Sequence, residues 1–218
     1  MSSTLQVPAS RRSNIPPLEN GDHLTSAEFL RRYEAMPEVK KAELIEGIAH
    51  MPSPVRADAH GKPDGLLHGW LSTYACETPN VAFYPNTTLI LDSENTPQPD
   101  AILCATPRPD GRVWLNKRGY LCGAPELVCE VAASSVSVDL HDKFRAYRRN
   151  GIGEYLVWLV SERRLRWFAL EEQEYVELKE RAGLLTSRIF PRLVLDTRAL
   201  LRGDGAKVLA TLRKHLRR

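Results

Sequence analysis

Long apolar runs are missing from this 218-residue chain. No stretch approaches the roughly 18 consecutive apolar residues that a membrane-spanning helix requires. Cysteine is scarce: Cys76, Cys104, Cys122 and Cys129 form no CxxC pair and have no close histidine partner. That removes zinc-ligand and dithiol-redox spacings and leaves reduced, mostly buried side chains. A P-loop, a dinucleotide fingerprint, a nucleophile elbow, a zinc finger and a helix-turn-helix are also lacking, so no familiar phosphate-binding, hydrolase or base-reading motif is available. Charge imbalance is slight, 30 Lys and Arg against 27 Asp and Glu for a net +3, a balance shared by many proteins with no nucleic-acid partner. Arg11 and Arg12 precede no apolar signal-peptide segment, so a cytoplasmic location is the expectation.

What is present is ordinary in bulk, 43% hydrophobic and 26% charged, enough for one core and one domain. Residues 1–22 are rich in Ser, Pro, Arg and Asn and read as a disordered tail. Thr25 and Glu28 have capping-box spacing, Leu24 and Phe29 can staple the start, and Pro37 ends that helix near Met36. Glu43-Leu44-Ile45-Glu46-Gly47-Ile48 reads as two extended pieces hinged at glycine, a hairpin or bent strand. Leu66, Leu67, Trp70, Leu71 and Tyr74 recur at helical spacing from about residue 64.

The period then changes. Val81 to Leu91, Ala101 to Cys104 and Leu127 to Val131 read as three strands, apolar enough for a sheet covered on both faces. A Gly- and Pro-rich loop separates the last two, with 113–120 open to either helix or extended chain. Asp139 to Asn150 predicts a helix with Asp139 as N-cap and Asn150-Gly151 as stop. Glu154 to Val160, Arg164 to Leu170 and Glu174 to Leu178 read as strands, and 205–218 as an amphipathic helix with Val208, Leu209, Leu212 and Leu216 on its apolar side. The sum is a single α/β domain over 23–202, a central mixed sheet flanked by helices, followed by a basic C-terminal helix at 203–218.

Chemistry concentrates at four places. The prolines of Pro97-Gln98-Pro99 keep Asp100 at the end of its strand. Glu130 interrupts the otherwise apolar Leu127–Val131 run, an expensive position unless a cation or several hydrogen bonds compensate it. If the two strands are neighbours, Asp100 and Glu130 converge on one divalent ion, with the Val131 carbonyl as a third oxygen; such hard ligands suit Mg²⁺ or Mn²⁺. The plainer alternative makes Asp100 a turn residue and pairs Glu130 with an arginine. Lys143 and Tyr147 are one turn apart on the next helix, placing an ammonium where it can orient a metal-bound water or stabilise a phosphorane-like transition state. The alternatives are a solvated lysine and a core tyrosine.

The joint pattern of Glu43-Leu44-Ile45-Glu46-Gly47, His60, Pro99-Asp100, Glu130-Val131-Ala132-Ala133-Ser134-Ser135, Asp139, Lys143, Tyr147 and Gly151-Ile152-Gly153-Glu154-Tyr155 resembles the Uma-two family over about residues 24–200. That family belongs to the PD-(D/E)xK nuclease superfamily. The resemblance implies a restriction-endonuclease-like fold and a metal-dependent endonuclease that hydrolyses DNA phosphodiester bonds with a Mg-bound water. It implies Asp100 and Glu130 as metal ligands and Glu43 as the additional acid. The superfamily's lysine position falls here on Ala132, and in similar proteins the lysine comes from the following helix, which implies Lys143. His60 can bind phosphate or orient a ligand, or be a structural histidine; Gln98 is a neighbour of the site. Glu46 stays the alternative to Glu43 because the hairpin register is open. Two basic groups are candidates for phosphate contact: Arg145, Arg148 and Arg149, and Lys207, Arg213, Lys214, Arg217 and Arg218. Cutting both strands makes a homodimer attractive. The competing function is a catalytically inactive nucleic-acid-binding protein of the same fold.

Overall fold

In the computed structural model, residues 15–51, 56–133 and 136–217 are described. In chain order the elements are α1 (Ser26–Glu34), β1 (Glu43–Ile45), β2 (Ile48–His50), α2 (Lys62–Glu77), β3 (Val81–Pro85), β4 (Leu89–Ile90), β5 (Ala101–Ala105), β6 (Val113–Leu115), β7 (Leu121–Gly123), β8 (Leu127–Ala132), α3 (Lys143–Arg149), β9 (Glu154–Leu159), β10 (Arg164–Glu171), β11 (Glu174–Glu177), β12 (Leu184–Thr186), β13 (Val194–Asp196), α4 (Thr197–Leu201) and α5 (Gly205–Leu216). Single π-helical turns, Ala57–Gly61 and Val138–Asp142, lead into α2 and α3. No described helix is long and apolar enough to cross a membrane.

The central sheet is mixed and six-stranded, in the order β11-β10-β9-β8-β5-β3. Within it only β8 and β9 are parallel, and α3 supplies the crossover that a parallel pair needs. Both strands are buried along their whole length, as expected for strands covered on both faces. One face holds Leu127, Cys129, Val131, Leu156 and Trp158 against α2, α4 and α5; the other holds Val128, Ala132, Tyr155 and Val157 against α3. Trp70 of α2 fixes the first layer, meeting Trp167 edge-on at 5.8 Å and donating its indole N–H to the Val194 carbonyl.

Several stretches differ from the sequence expectation. The span from Val81 to Leu91 is two strands, because the chain turns at Asn86, leaves the central sheet and pairs with β7. The Asn86 φ of 44° is a turn conformation that no continuous strand contains. The open stretch at 113–120 is extended at its start, as β6, which pairs with β7. Asp139 is not the N-cap of the following helix; it is buried inside the π-turn, four residues before Lys143. Of the tail, residues 1–14 lie outside the described residues, whereas 15–22 pack on the body: Leu18 is buried, and Gly21 and Asp22 bond the Ala49 backbone. The Ser134-Ser135 part of the quoted pattern also lies outside the described residues.

Candidate functional site

The hairpin register sends Glu43 and Glu46 to different surroundings. Glu46 and Gly47 both take positive φ, 52° and 74°, which makes the tight turn between β1 and β2. Glu46 therefore sits at the tip and pairs with Arg149, while Glu43 is buried at the start of β1. One oxygen of Glu43 accepts the Gln98 backbone N–H at 2.7 Å and lies 2.9 Å from the Lys143 ammonium. This is how Gln98 joins the site: its main chain holds Glu43, while its side chain donates to the Asn86 carbonyl at 3.0 Å.

Lys143 is 3% exposed, so it is not a solvated lysine. Its Nζ lies 2.9 Å from Glu130 Oε1 and 3.5 Å from Asp139 Oδ1, in addition to Glu43. Tyr147 donates its hydroxyl to the same Glu130 oxygen at 2.9 Å and is fully buried, so it is a core residue in contact with the acidic cluster. The expected alternative of an arginine against Glu130 is replaced by this lysine and tyrosine, both from α3. The π-turn places Asp139 and Lys143 together, in line with the frequency of such turns at functional positions.

Asp100 sits immediately before β5, where the antiparallel ladder with β8 ends at Ala101 and Cys129. Val131, beyond that end, has no ladder partner on this side, and its N–H donates to Asp100 Oδ2 at 2.8 Å. The imidazole of His60, in the first π-turn, is 3.2 Å from the same oxygen, and Lys41 Nζ is 3.1 Å from Oδ1. His68 contacts the Asp100 backbone carbonyl at 2.8 Å and Asp64 at 2.9 Å. Sequence reasoning misses Lys41 and His68, and it gives Asp139 the task of a cap. Two of the three carry a usable signal, since Lys41 is two residues before Glu43 at strand period and Asp139 is four before Lys143 at helical period.

The electrostatics follow from burial and this packing. Burial opposes ionisation of Asp100, but the His60 hydrogen bond, the Lys41 charge and the Val131 N–H hold its carboxyl well below the usual range. The hydrogen bond with Asp100 raises His60 above the ordinary histidine value. Burial pushes Glu130 up, the Lys143 charge opposes this, and Asp100, Asp139 and Glu43 push it further up. Burial alone would lower Lys143, yet Glu130, Glu43 and Asp139 raise it well above the usual lysine value. Lys143 is therefore a retained cation. The carboxyl groups of Glu43, Asp100, Glu130 and Asp139 thus face the ammonium groups of Lys41 and Lys143, and their crowding together with burial pushes Glu130 up to about 8.

Among the described residues, no trio of His, Cys, Asp and Glu is arranged to hold a metal ion as the side chains stand. Lys143 occupies the space between Glu43 and Glu130, and Asp100 is engaged by Lys41, His60 and Val131. The two candidate basic patches differ. On α3, Arg145 pairs with Asp142, Arg148 with Glu174 and Arg149 with Glu46, so these cations are already engaged. On α5, Arg213 pairs with Glu77, while Lys207, Lys214 and Arg217 are not buried; Arg218 lies outside the described residues.

Comparison with known proteins agrees with this architecture. The fold is similar to that of a solved structure described as "a putative nuclease belonging to DUF820 from Anabaena variabilis ATCC 29413", with a TM-score of 0.59 and 15% identity, covering 80% of this chain and 97% of that one. No protein of curated function matches. The sequence profile of Uma2, described as "Putative restriction endonuclease", matches residues 26–198, which take in Glu43, Asp100, Glu130 and Lys143. With most of its length matched, this chain belongs to the Uma2 family.

Proposed function

We propose that the protein is a Mg²⁺- or Mn²⁺-dependent endonuclease that hydrolyses DNA phosphodiester bonds. The observation that carries this reading is the convergence of the buried carboxyl groups of Glu43, Glu130 and Asp139 on Lys143, with Asp100 beside them. Crowding of these acids helps push Glu130 up to about 8, a divalent cation would relieve it, and the donors are all hard oxygens, the set that suits Mg²⁺ or Mn²⁺. The chemistry of the donor set suits such an ion, although Lys143 and Lys41 engage the acids as the side chains stand: Asp100 and Glu130 would hold it, with Glu43 and the Val131 carbonyl as further oxygen donors. When bound, it would supply charge neutralisation at the phosphate and activation of the attacking water.

This chain's own groups have separable tasks. Lys143, whose pKa Glu130, Glu43 and Asp139 raise against burial, would supply positive charge beside the developing phosphorane. Tyr147 holds the Glu130 oxygen in place through its 2.9 Å hydrogen bond. His60 and the Val131 N–H do the same for Asp100. Gln98 fixes Glu43 through its backbone.

The test is cleavage of supercoiled plasmid and labelled single-stranded DNA with Mg²⁺, Mn²⁺ or EDTA, comparing the natural protein with Asp100→Ala and Lys143→Ala. Metal-dependent cutting that disappears in both variants is the expected result. Equal cutting by all three sinks the assignment. The second reading, a nucleic-acid-binding protein without catalysis, is favoured by the lysines that already engage Asp100, Glu43 and Glu130. DNA binding with no cutting under any metal would select it.

A further inference from the structure

We propose that a cleft of about 230 Å³ beside the site receives one unstacked nucleotide of a single-stranded nucleic acid, its phosphate held by Lys62, Arg163 and Arg202. The inference rests on the nuclease reading and specifies the form of the substrate. The lining of the cleft includes the apolar Leu66, Val160 and Leu201, with the nearly buried Trp158 behind them. The three cations, all exposed, line it as well. None of their side chains is in an ion pair among the described residues, in contrast to the paired arginines of α3. Cations without ion-pair partners among the described residues, set beside aliphatic side chains, are complementary to a phosphate joined to a base, which aliphatic contact can hold in place of the aromatic stacking common in single-strand sites.

Position and size narrow the occupant. The π-turn that presents His60 to Asp100 also contributes Asp58 to the cleft wall, and Lys62 opens the helix that follows. Trp158 is paired in register with Val131, next to Glu130. The cleft and Asp100 therefore share one end of the sheet, and a strand crossing the ends of β8 and β9 reaches both. Pockets for a complete small ligand occupy about 300–1,000 Å³, so this smaller cleft suits one residue of a polymer. A base can enter it only when unstacked, which single strands offer without the cost of opening a duplex. Close packing holds this side of the cleft: Gly203, in its lining, has a φ of 76°, and a Cβ at the neighbouring Gly205 would lie 2.8 Å from Leu66 Cδ2.

Fluorescence anisotropy in EDTA, with a labelled oligothymidylate and a duplex of equal length, tests this without any need for cleavage. The natural protein should bind the single strand more tightly. Lys62→Gln/Arg163→Gln/Arg202→Gln should weaken that binding about tenfold or more, and lower the salt slope by about 0.7 for each phosphate no longer neutralised. Leu201→Gln, with folding checked by its melting temperature, should weaken binding at an unchanged slope. Arg145→Gln/Arg148→Gln should alter neither. Unchanged affinity in the triple variant, or equal binding of duplex and single strand, overturns the proposal. Plasmid cleavage that persists alongside either result leaves the nuclease reading standing and this one rejected.

Discussion

Glu130 and Lys143 each need the other to be tolerable where they are. Breaking a buried ion pair from one side costs about 3–5 kcal/mol, because the remaining charge is stranded. Lys143→Met should therefore destabilise strongly, since Glu130, Glu43 and Asp139 are all deprived of their shared cation. Glu130→Gln in the same chain should recover part of the stability, whereas two independent effects would add. Urea unfolding of the four proteins of this double-mutant cycle measures the difference. Stability should also depend on pH through Asp100 and His60. Asp100 is held below its unfolded value of about 3.8, so its contribution is present above that pH and is lost as pH falls through the folded value. His60 is raised above 6.5, so its contribution is complete below that pH and is lost as pH rises through the folded value. His60→Gln should flatten the stability profile above pH 6.5, and Asp100→Asn should flatten both limbs. An unchanged alkaline limb in His60→Gln would assign that limb to another group.

At the level of elements, what the sequence reveals depends on how far away each residue's partners lie. Glu130 and Glu154 look alike in sequence, each an acid in an apolar strand. Glu130 meets Lys143 and Tyr147 from the next helix, so its partners lie at short separation in the sequence. Glu154 instead accepts from Ser187 Oγ, the Arg188 and Ile189 N–H groups and the Trp167 indole, which ties down a distant turn. Nothing local in the sequence announces that structural task. The strands β5, β8 and β9 are legible because burial on both faces leaves unbroken apolar runs. The division of 81–91 is hidden, because both halves are apolar and only the departure at Asn86 to a second sheet separates them. Asp139 reads as a cap because an acid before a helix usually is one; the intervening π-turn, which has no such signature, buries it instead.

For the whole molecule, the open choice is whether α5 is an appendage or part of the body. Its cations suit an appendage for nucleic acid, and the family match ends at residue 198, before it. Packing argues for the body. Val208 and Leu212 are buried in the cluster that contains Leu67, Trp70 and Leu195, and Arg213 pairs with Glu77 of α2. Burying each such aliphatic side chain contributes about 1.5–3 kcal/mol, against a total stability of about 5–15 kcal/mol for an ordinary domain. Removing residues 204–218 should therefore lower the melting temperature sharply or abolish cooperative unfolding in calorimetry. An appendage would leave the transition in place and reduce only DNA affinity. The point substitutions Lys207→Gln/Lys214→Gln/Arg217→Gln separate the two contributions, since they remove charge and keep the packing. A normal melting temperature in that variant together with a collapsed one in the truncation would make α5 the element that closes the α2 face of the sheet.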